Sequence, residues 1–284
     1  MRKPRTIARL ILALTVALGV FAMTGCSAAE DEPAAGEQPA GETTVIKVGA
    51  SPTPHAEILE QIADDLAAEG YELEIVEYTD YVLPNTDVEA GEIDANYFQH
   101  TPYLDDFNAE NGTSIVSAAS IHFEPLGLYG GKTDAIDDLA EGAKIAVPND
   151  ATNEARALLL LEQEGLLTLK EGAGIKATVN DIEENPLGIE FVEVEAAAVP
   201  AMLADVDMAV INGNYALSAN ISVVDALASE ASDGLAAETY ANIVAVAEGN
   251  EDDPGVQALV KALTSAKIRS FIEQQYNGSV VAVF

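Results

Sequence analysis

The sequence predicts an α/β fold built on a parallel sheet. Val45-Ile-Lys-Val-Gly49 is a short β-branched run closed by glycine, and Tyr71-Glu-Leu-Glu-Ile75 alternates apolar and acidic residues. Between them, Ala56 to Glu69 sets Ile58, Leu59, Ile62 and Leu66 on one helical face, with Gly70 as the stop. Strand, helix, strand in that order is a βαβ unit, whose crossover makes the strands parallel. Size agrees: the chain has 284 residues, 49% of them hydrophobic, enough for one large or two ordinary domains with a sizeable core.

The residues before that unit have another character. Arg2, Lys3, Arg5 and Arg9 form a basic start without an acid, and Leu10 to Met23 is apolar but short for a membrane span. Met23-Thr-Gly-Cys26 then places small residues before the only cysteine, the pattern of a lipoprotein cleavage site with Cys26 as the lipidated first residue. An uncleaved anchor with an incidental cysteine is the other reading. Ser27 to Thr44 is rich in Ala, Glu, Pro and Gly and has little to bury. The expected division is a signal peptide over 1–25, then a lipidated start and flexible tether over 26–44. A lone cysteine leaves the exported part without an internal disulfide, a thiolate metal site or a cysteine nucleophile. The formal net charge is −35, and four of the chain's 13 bases fall in the leader, so the remainder is more acidic still. Such a field repels nucleic acid and anionic surfaces. It suits a salty habitat, where screening weakens self-repulsion, or simply keeps the surface soluble.

After the turn Glu89-Ala-Gly-Glu92 comes Asp94-Ala-Asn-Tyr-Phe-Gln-His-Thr-Pro-Tyr-Leu104. If residues 94–100 are extended, Phe98 and His100 share one face and Tyr97 and Gln99 the other. A phenyl ring beside an imidazole can wall a small-molecule pocket, although a core strand with a satisfied histidine is the commoner case. Pro102 ends the strand, and Tyr103-Leu104 opens an apolar helix face. Ser114 to Phe123 reads as a strand, and Leu126-Gly-Leu-Tyr129 as an extended piece that crosses into a second lobe. Ile136 to Leu139 reads as a short helix, and Lys144 to Val147 as a strand stopped by Pro148.

Asn149-Asp-Ala-Thr-Asn-Glu-Ala-Arg156 opens the next helix, which runs to Gly165. Asp150, Thr152 and Asn153 are good N-caps, and the helix start offers unpaired N–H groups and a positive dipole end to an anion. Arg156 has Thr152, Asn153, Leu159 and Leu160 as its helical neighbours, so its own helix supplies no acid. A bidentate bond to a ligand carboxylate would explain it, and so would an ion pair with an acid distant in sequence. Ile189 to Val194 is a strand and Val199 to Leu203 a helix. Met208 to Ile211 is a buried strand that delivers Asn212 at its carboxyl end, where α/β sheets bind ligands. Asn212 is equally a turn residue before Gly213. Tyr240 to Val246 is a strand that returns to the first lobe, and Asp253-Pro254 caps the last long helix, with Val256, Leu259, Val260 and Leu263 on one face.

Asp80-Tyr-Val-Leu-Pro-Asn85, the 94–104 stretch, and Val147-Pro-Asn-Asp-Ala-Thr-Asn153 with Arg156 together resemble the methionine-binding lipoproteins, the NlpA type of substrate-binding protein that serves ABC importers. The resemblance runs from about Val45 to the C-terminus, with several motifs in order. It departs at Met23, where leucine is usual, and near Leu187-Gly-Ile189, where the loop is short. It implies a two-lobed periplasmic-binding-protein-like fold with a ligand cleft between lobes. The expected lobes are 45–128 with 222–284, and 129–221. It implies free methionine as ligand, the importer's permease and ATPase subunits as partners, and an anchor in the membrane, facing its extracytoplasmic side, through lipid such as palmitate on Cys26. By the same resemblance Tyr81, Phe98 and His100 line the side-chain pocket, Arg156 and Asn212 hold the charged end, and Asn242 adds a polar contact. Asn149 and Glu124 stand behind these, Glu124 as partner for the ammonium. A thioether packs well on aromatic rings, and a zwitterion has no net charge for the acidic field to repel.

His55, His100 and His122 show no metal-ligand spacing, and there is no Gly-x-Ser-x-Gly, no phosphate loop and no basic patch with interleaved aromatics. No cofactor or catalytic residue is expected, and the reading is of a binding protein rather than an enzyme. The alternatives are the same fold with another small amino acid or a dipeptide, a metal-binding lipoprotein, or an enzyme on this scaffold.

Overall fold

The computed structural model describes residues 43–284 except Asp233, so the expected leader, Cys26 and tether lie outside the described residues. The βαβ start forms: β1 (Thr44–Ala50), α1 (Glu57–Glu60), α2 (Ala63–Ala68) and β2 (Tyr71–Glu77), with β2 parallel to β1 along its length. The single helix expected over Ala56 to Glu69 is broken. Gln61 and Ile62 donate to the carbonyls of Ile58 and Leu59, three residues back, and Ile62 takes φ −102° and ψ −1°. Ile58, Leu59, Ile62 and Leu66 are all buried, so the apolar face survives the break.

The chain continues through α3 (Leu83–Ala90), β3 (Ala95–His100), α4 (Thr101–Asn111), β4 (Ile115–Phe123), β5 (Gly127–Gly130), β6 (Lys144–Pro148) and α5 (Ala151–Gln163). It then forms β7 (Thr168–Leu169), β8 (Ile182–Glu184), β9 (Glu190–Val194), α6 (Val199–Met202), β10 (Met208–Ile211) and α7 (Gly213–Ser218). Last come β11 (Ala228–Ser229), α8 (Leu235–Thr239), β12 (Asn242–Ala247), α9 (Pro254–Leu263), α10 (Ala266–Tyr276) and β13 (Val281–Ala282). Thus α9 is not the last long helix. Ser265 caps α10 by accepting from the Ile268 N–H, and Ile268 and Ile272 bury its inner face.

A six-stranded sheet runs β13-β4-β12-β3-β1-β2 and a five-stranded sheet runs β11-β5-β10-β6-β9. In the first, β3 is parallel to β1, while β12 is antiparallel to both β3 and β4. In the second, β6 is parallel to β9 and β10, and β5 is antiparallel to β10 and β11. Each sheet has its own apolar core. Val48, Ile58, Leu59, Tyr97 and Leu259 belong to one, and Leu128, Ile145, Leu158, Leu161 and Val210 to the other. The expected boundaries need correction: Gly127–Leu128 of β5, and Ala228–Ser229, pair in the second sheet rather than the first.

Strict alternation along β3 also fails. Ile243 pairs with Gln99 and Val244 with Tyr97, leaving Phe98 as the extra residue of a β-bulge. The shift puts Gln99 on the side of Asn96, not of Tyr97. Gln99 Nε2 donates to Asn96 Oδ1 at 2.9 Å and to Asn85 Oδ1 at 2.6 Å. Asn85 Nδ2 returns a bond of 2.9 Å to Gln99 Oε1, tying α3 to β3. A buried amide network of this kind is stabilising only when its members satisfy one another, as these do.

Candidate functional site

A pocket lies between the two sheets. Tyr81, Phe98, His100, Glu124, Arg156, Asn212 and Asn242, seven of the expected site residues, line it. Gln99, Tyr103, Asn153, Gly213 and Asn214 complete the wall. Asn149 does not reach it. That residue lines an adjoining cavity with Asp150 and Glu195, and Tyr81 and Tyr103 border both spaces. The pocket is narrow, a cavity of about 20 Å³. The walls stand close, and a ligand must part them.

One wall is aromatic. The Tyr81 ring lies 5.7 Å from Phe98, 5.7 Å from Tyr103 and 4.9 Å from Tyr215. Rings at these separations attract one another and offer a polarizable surface. The bulge at Phe98 lets Phe98 and His100 both reach the pocket, with Gln99 between them committing its amide to Asn85 and Asn96. Three bonds join the two sides: Tyr81 Oη donates to Asn214 Oδ1 at 2.6 Å, Tyr215 Oη to the Thr79 carbonyl at 3.2 Å, and His100 Nε2 meets Asn153 Oδ1 at 3.3 Å.

Two features of the polar wall bear on the expected carboxylate site. The start of α5 is not an open anion site. Asp150 Oδ1 accepts from the Asn153 N–H at 3.0 Å, from Asn153 Nδ2 at 2.8 Å and from Thr152 Oγ1 at 3.2 Å. The cap thus places a carboxylate where the ligand's was expected. Arg156 has an acid distant in sequence as its partner, one of its two expected readings. Its Nε and Nη2 grip Glu230 Oε1 and Oε2 at 2.7 and 2.5 Å, and Nη2 also donates to the Glu124 carbonyl at 2.8 Å. Its guanidinium carbon stands 4.5 Å from the Tyr240 ring centre. Burial opposes the charge, but Glu230 outweighs it and holds the guanidinium firmly protonated. Nη1 takes part in none of these bonds.

Asn153 and Asn214 were not among the expected residues. Asn153 Oδ1 receives Asn212 Nδ2 at 2.9 Å, so it orients an expected residue. Asn212 Oδ1 and Asn214 Nδ2 are buried and lack hydrogen-bond partners. A buried orphan acceptor and a buried orphan donor are each costly, and both residues border the same pocket.

Behind the pocket the fold gathers two histidines that are distant in sequence. His122 Nε2 is 2.7 Å from Glu124 Oε1, His55 Nε2 is 3.5 Å from the same oxygen, and Tyr97 Oη bonds His122 Nδ1. His55 Nε2 also meets Asn242 Oδ1 at 2.9 Å. One ligating atom from each of His55, His122 and Glu124 falls within 4.8 Å of the others, close enough to surround a cation. Hydrogen bonds already occupy both Nε2 atoms. Burial pushes His122 down to about 3 and, against the pull of Glu124, His55 to about 4, while it raises Glu124. His100 is lowered to about 3, by burial and then by Arg156.

Two α/β lobes with a mixed aromatic and polar pocket at the strand ends between them define a substrate-binding protein of the periplasmic type. The sequence profile of the NlpA lipoprotein family matches residues 46–284, and the chain belongs to that family. The membrane lipoprotein TpN32 of Treponema pallidum is 38% identical over 284 residues, which span 99% of this chain and 98% of that one. A lipoprotein structure from Ruminococcus gnavus is 58% identical and superposes with a TM-score of 0.84, covering 85% of this chain and 100% of its own. A nutrient-binding protein from Burkholderia cenocepacia, bound to methionine, is 45% identical with a TM-score of 0.79, covering 84% of this chain and 100% of its own.

Proposed function

We propose that this protein captures methionine outside the cytoplasmic membrane and delivers it to the permease and ATPase subunits of an ABC importer, anchored by lipid on Cys26. The pair of unpartnered amide atoms, Asn212 Oδ1 and Asn214 Nδ2, carries the reading. An acceptor and a donor in one pocket wall match the ammonium and carboxylate of a zwitterion. Arg156 Nη1 adds a cationic donor for the carboxylate, with Glu230 holding the guanidinium in place. Tyr81, Phe98 and His100 supply the surface for a thioether side chain, Glu124 accepts from the ammonium, and Asn242 contributes a polar edge. The likeness to a methionine-bound relative supports the same choice of ligand. The two lobes are drawn around the two sheets, the second taking in residues from β5 to β11.

Mass spectrometry of protein extracted from membranes tests this. The N-terminal peptide is expected to begin at lipid-modified Cys26, and denaturation is expected to release methionine. An N-terminus that still carries the leader would end the lipoprotein reading, and release of a different metabolite would replace the ligand.

A further inference from the structure

We propose that His122, backed by Tyr97, is the positioning residue that presents Glu124 to a ligand's free α-ammonium group. This rests on the pocket being an amino-acid site, and adds how that site selects for an amino group.

Glu124 follows β4 and is 5% exposed, with one side on the pocket and the other on the imidazoles. An ionised Glu124 can only accept, so His122 Nε2 carries the hydrogen and donates to Glu124 Oε1 at 2.7 Å, which leaves Nδ1 as the acceptor for the Tyr97 O–H. On the other side the chain presses close. A Cβ on Gly213 would lie 2.7 Å from Glu124 Cβ and 2.8 Å from Oε2, so only glycine leaves the carboxylate its place. Held between His122 and Gly213, Glu124 cannot swing to another partner.

The charge around Glu124 is unbalanced. His122 and Tyr97 face it from β4 and β3, and His55 from the turn before α1. Arg156 faces it from α5, and Tyr81 and Tyr276 lie near enough to feel its charge. Both histidines are held neutral by burial. Arg156 is the one permanent cation of this set, and Glu230 engages it in a two-pronged pair. Glu124 is thus a buried carboxyl whose nearest permanent cation is already engaged, and burial pushes it toward the neutral form unless a further cation joins it. A ligand ammonium supplies that cation. The histidine hydrogen bond favours the ionised carboxylate that such a ligand requires.

Calorimetry on the lipid-free protein with methionine and with 4-(methylthio)butanoate, the same molecule without its amino group, provides the test. Wild type is expected to prefer methionine. His122→Phe is expected to weaken methionine by roughly 10- to 100-fold, the range of one lost charge-assisted bond. The amino-free analogue should change by less than about threefold, so the preference collapses. His122→Gln, which keeps an N–H donor, is expected to restore part of it. Tyr97→Phe removes only a hydroxyl, so it tests the same chain should His122→Phe fail to fold, and should shift the preference the same way by less. In a titration series from pH 8 to pH 5, the acid limb of methionine binding should move up in His122→Phe, because Glu124 has lost its donor. Equal weakening of both ligands, or an unchanged preference in both folded variants, overturns the inference while leaving the methionine reading intact. Failure of wild type to bind methionine sinks that reading itself. A zinc-induced rise in melting temperature that vanishes in His122→Phe would make the trio a cation site and overturn the relay.

Discussion

Burial holds all three histidines neutral, and this has a measurable consequence. His55 is lowered to about 4, His100 to about 3 and His122 to about 3. The unfolded chain takes up these protons near pH 6.5. Between there and the folded values the unfolded state binds more protons than the native one, so these groups stabilise the fold above pH 6.5 and that stability is lost as pH falls. Glu124 and Asp150, raised by burial, act with the opposite sign and offset part of the loss. NMR titration of the imidazoles separates the contributions: no midpoint above pH 5 is expected, and a midpoint near 6.5 would mean the rings are open to water. Single residues were legible unequally. Phe98 and His100 declared themselves through a compact aromatic run after a turn, and Tyr81 only through the family resemblance. Arg156 stood out as well, but its partner did not, because helical spacing reports only its own helix and Glu230 lies 74 residues away. Asn214 carried no signal beyond being polar near a strand end. The orphaned donor became visible only once Tyr81 had taken its oxygen.

Caps decide how the elements meet the site. Asp150 terminates α5 with three bonds from one carboxylate oxygen, and those bonds also fix the side chain of Asn153. Asp150→Ala is expected to cost roughly 1–2 kcal/mol of stability, the range for a lost N-cap. Urea unfolding would measure it, and an unchanged midpoint would show that the cap carries no weight. The cap was readable from composition; its consequence for anion binding was not, because a good N-cap and an empty anion site share the same residues. The bulge in β3 was hidden for a different reason. Alternation assumes one residue per pairing position, and the register against β12 depends on residues about 145 positions later. The α10 helix offered a clear signal that went unused: Ser265 as cap, with Ile268 and Ile272 four apart.

At the scale of the molecule, βαβ periodicity sufficed for the α/β class, because the amino-terminal unit dictates parallel pairing of β1 and β2; the antiparallel strands that make both sheets mixed were not legible from it. The boundaries were less legible. β5 and β11 are short; β5 joins the second sheet through β10, and β11 joins it only through β5. Tyr81–Asn214, Tyr215–Thr79 and His100–Asn153 bonds cross the cleft. A ligand must exchange its own contacts for some of these, so binding and opening are coupled. Breaking the Arg156–Glu230 pair bears on both stability and binding. Arg156→Ala strands a buried carboxylate and is expected to destabilise by about 3–5 kcal/mol. Glu230→Gln keeps Arg156 and is the gentler probe of ligand affinity.

The central claim is that this pocket binds methionine as a zwitterion. Isothermal titration of the refolded, ligand-stripped protein with methionine, methionine amide and leucine tests it most directly. One methionine per chain is expected to bind, the amide far more weakly because Arg156 and Asn214 lose their carboxylate, and leucine more weakly because it lacks the polarizable sulfur. A folded protein that takes up no methionine, or that binds the amide as tightly as the free amino acid, would contradict the account.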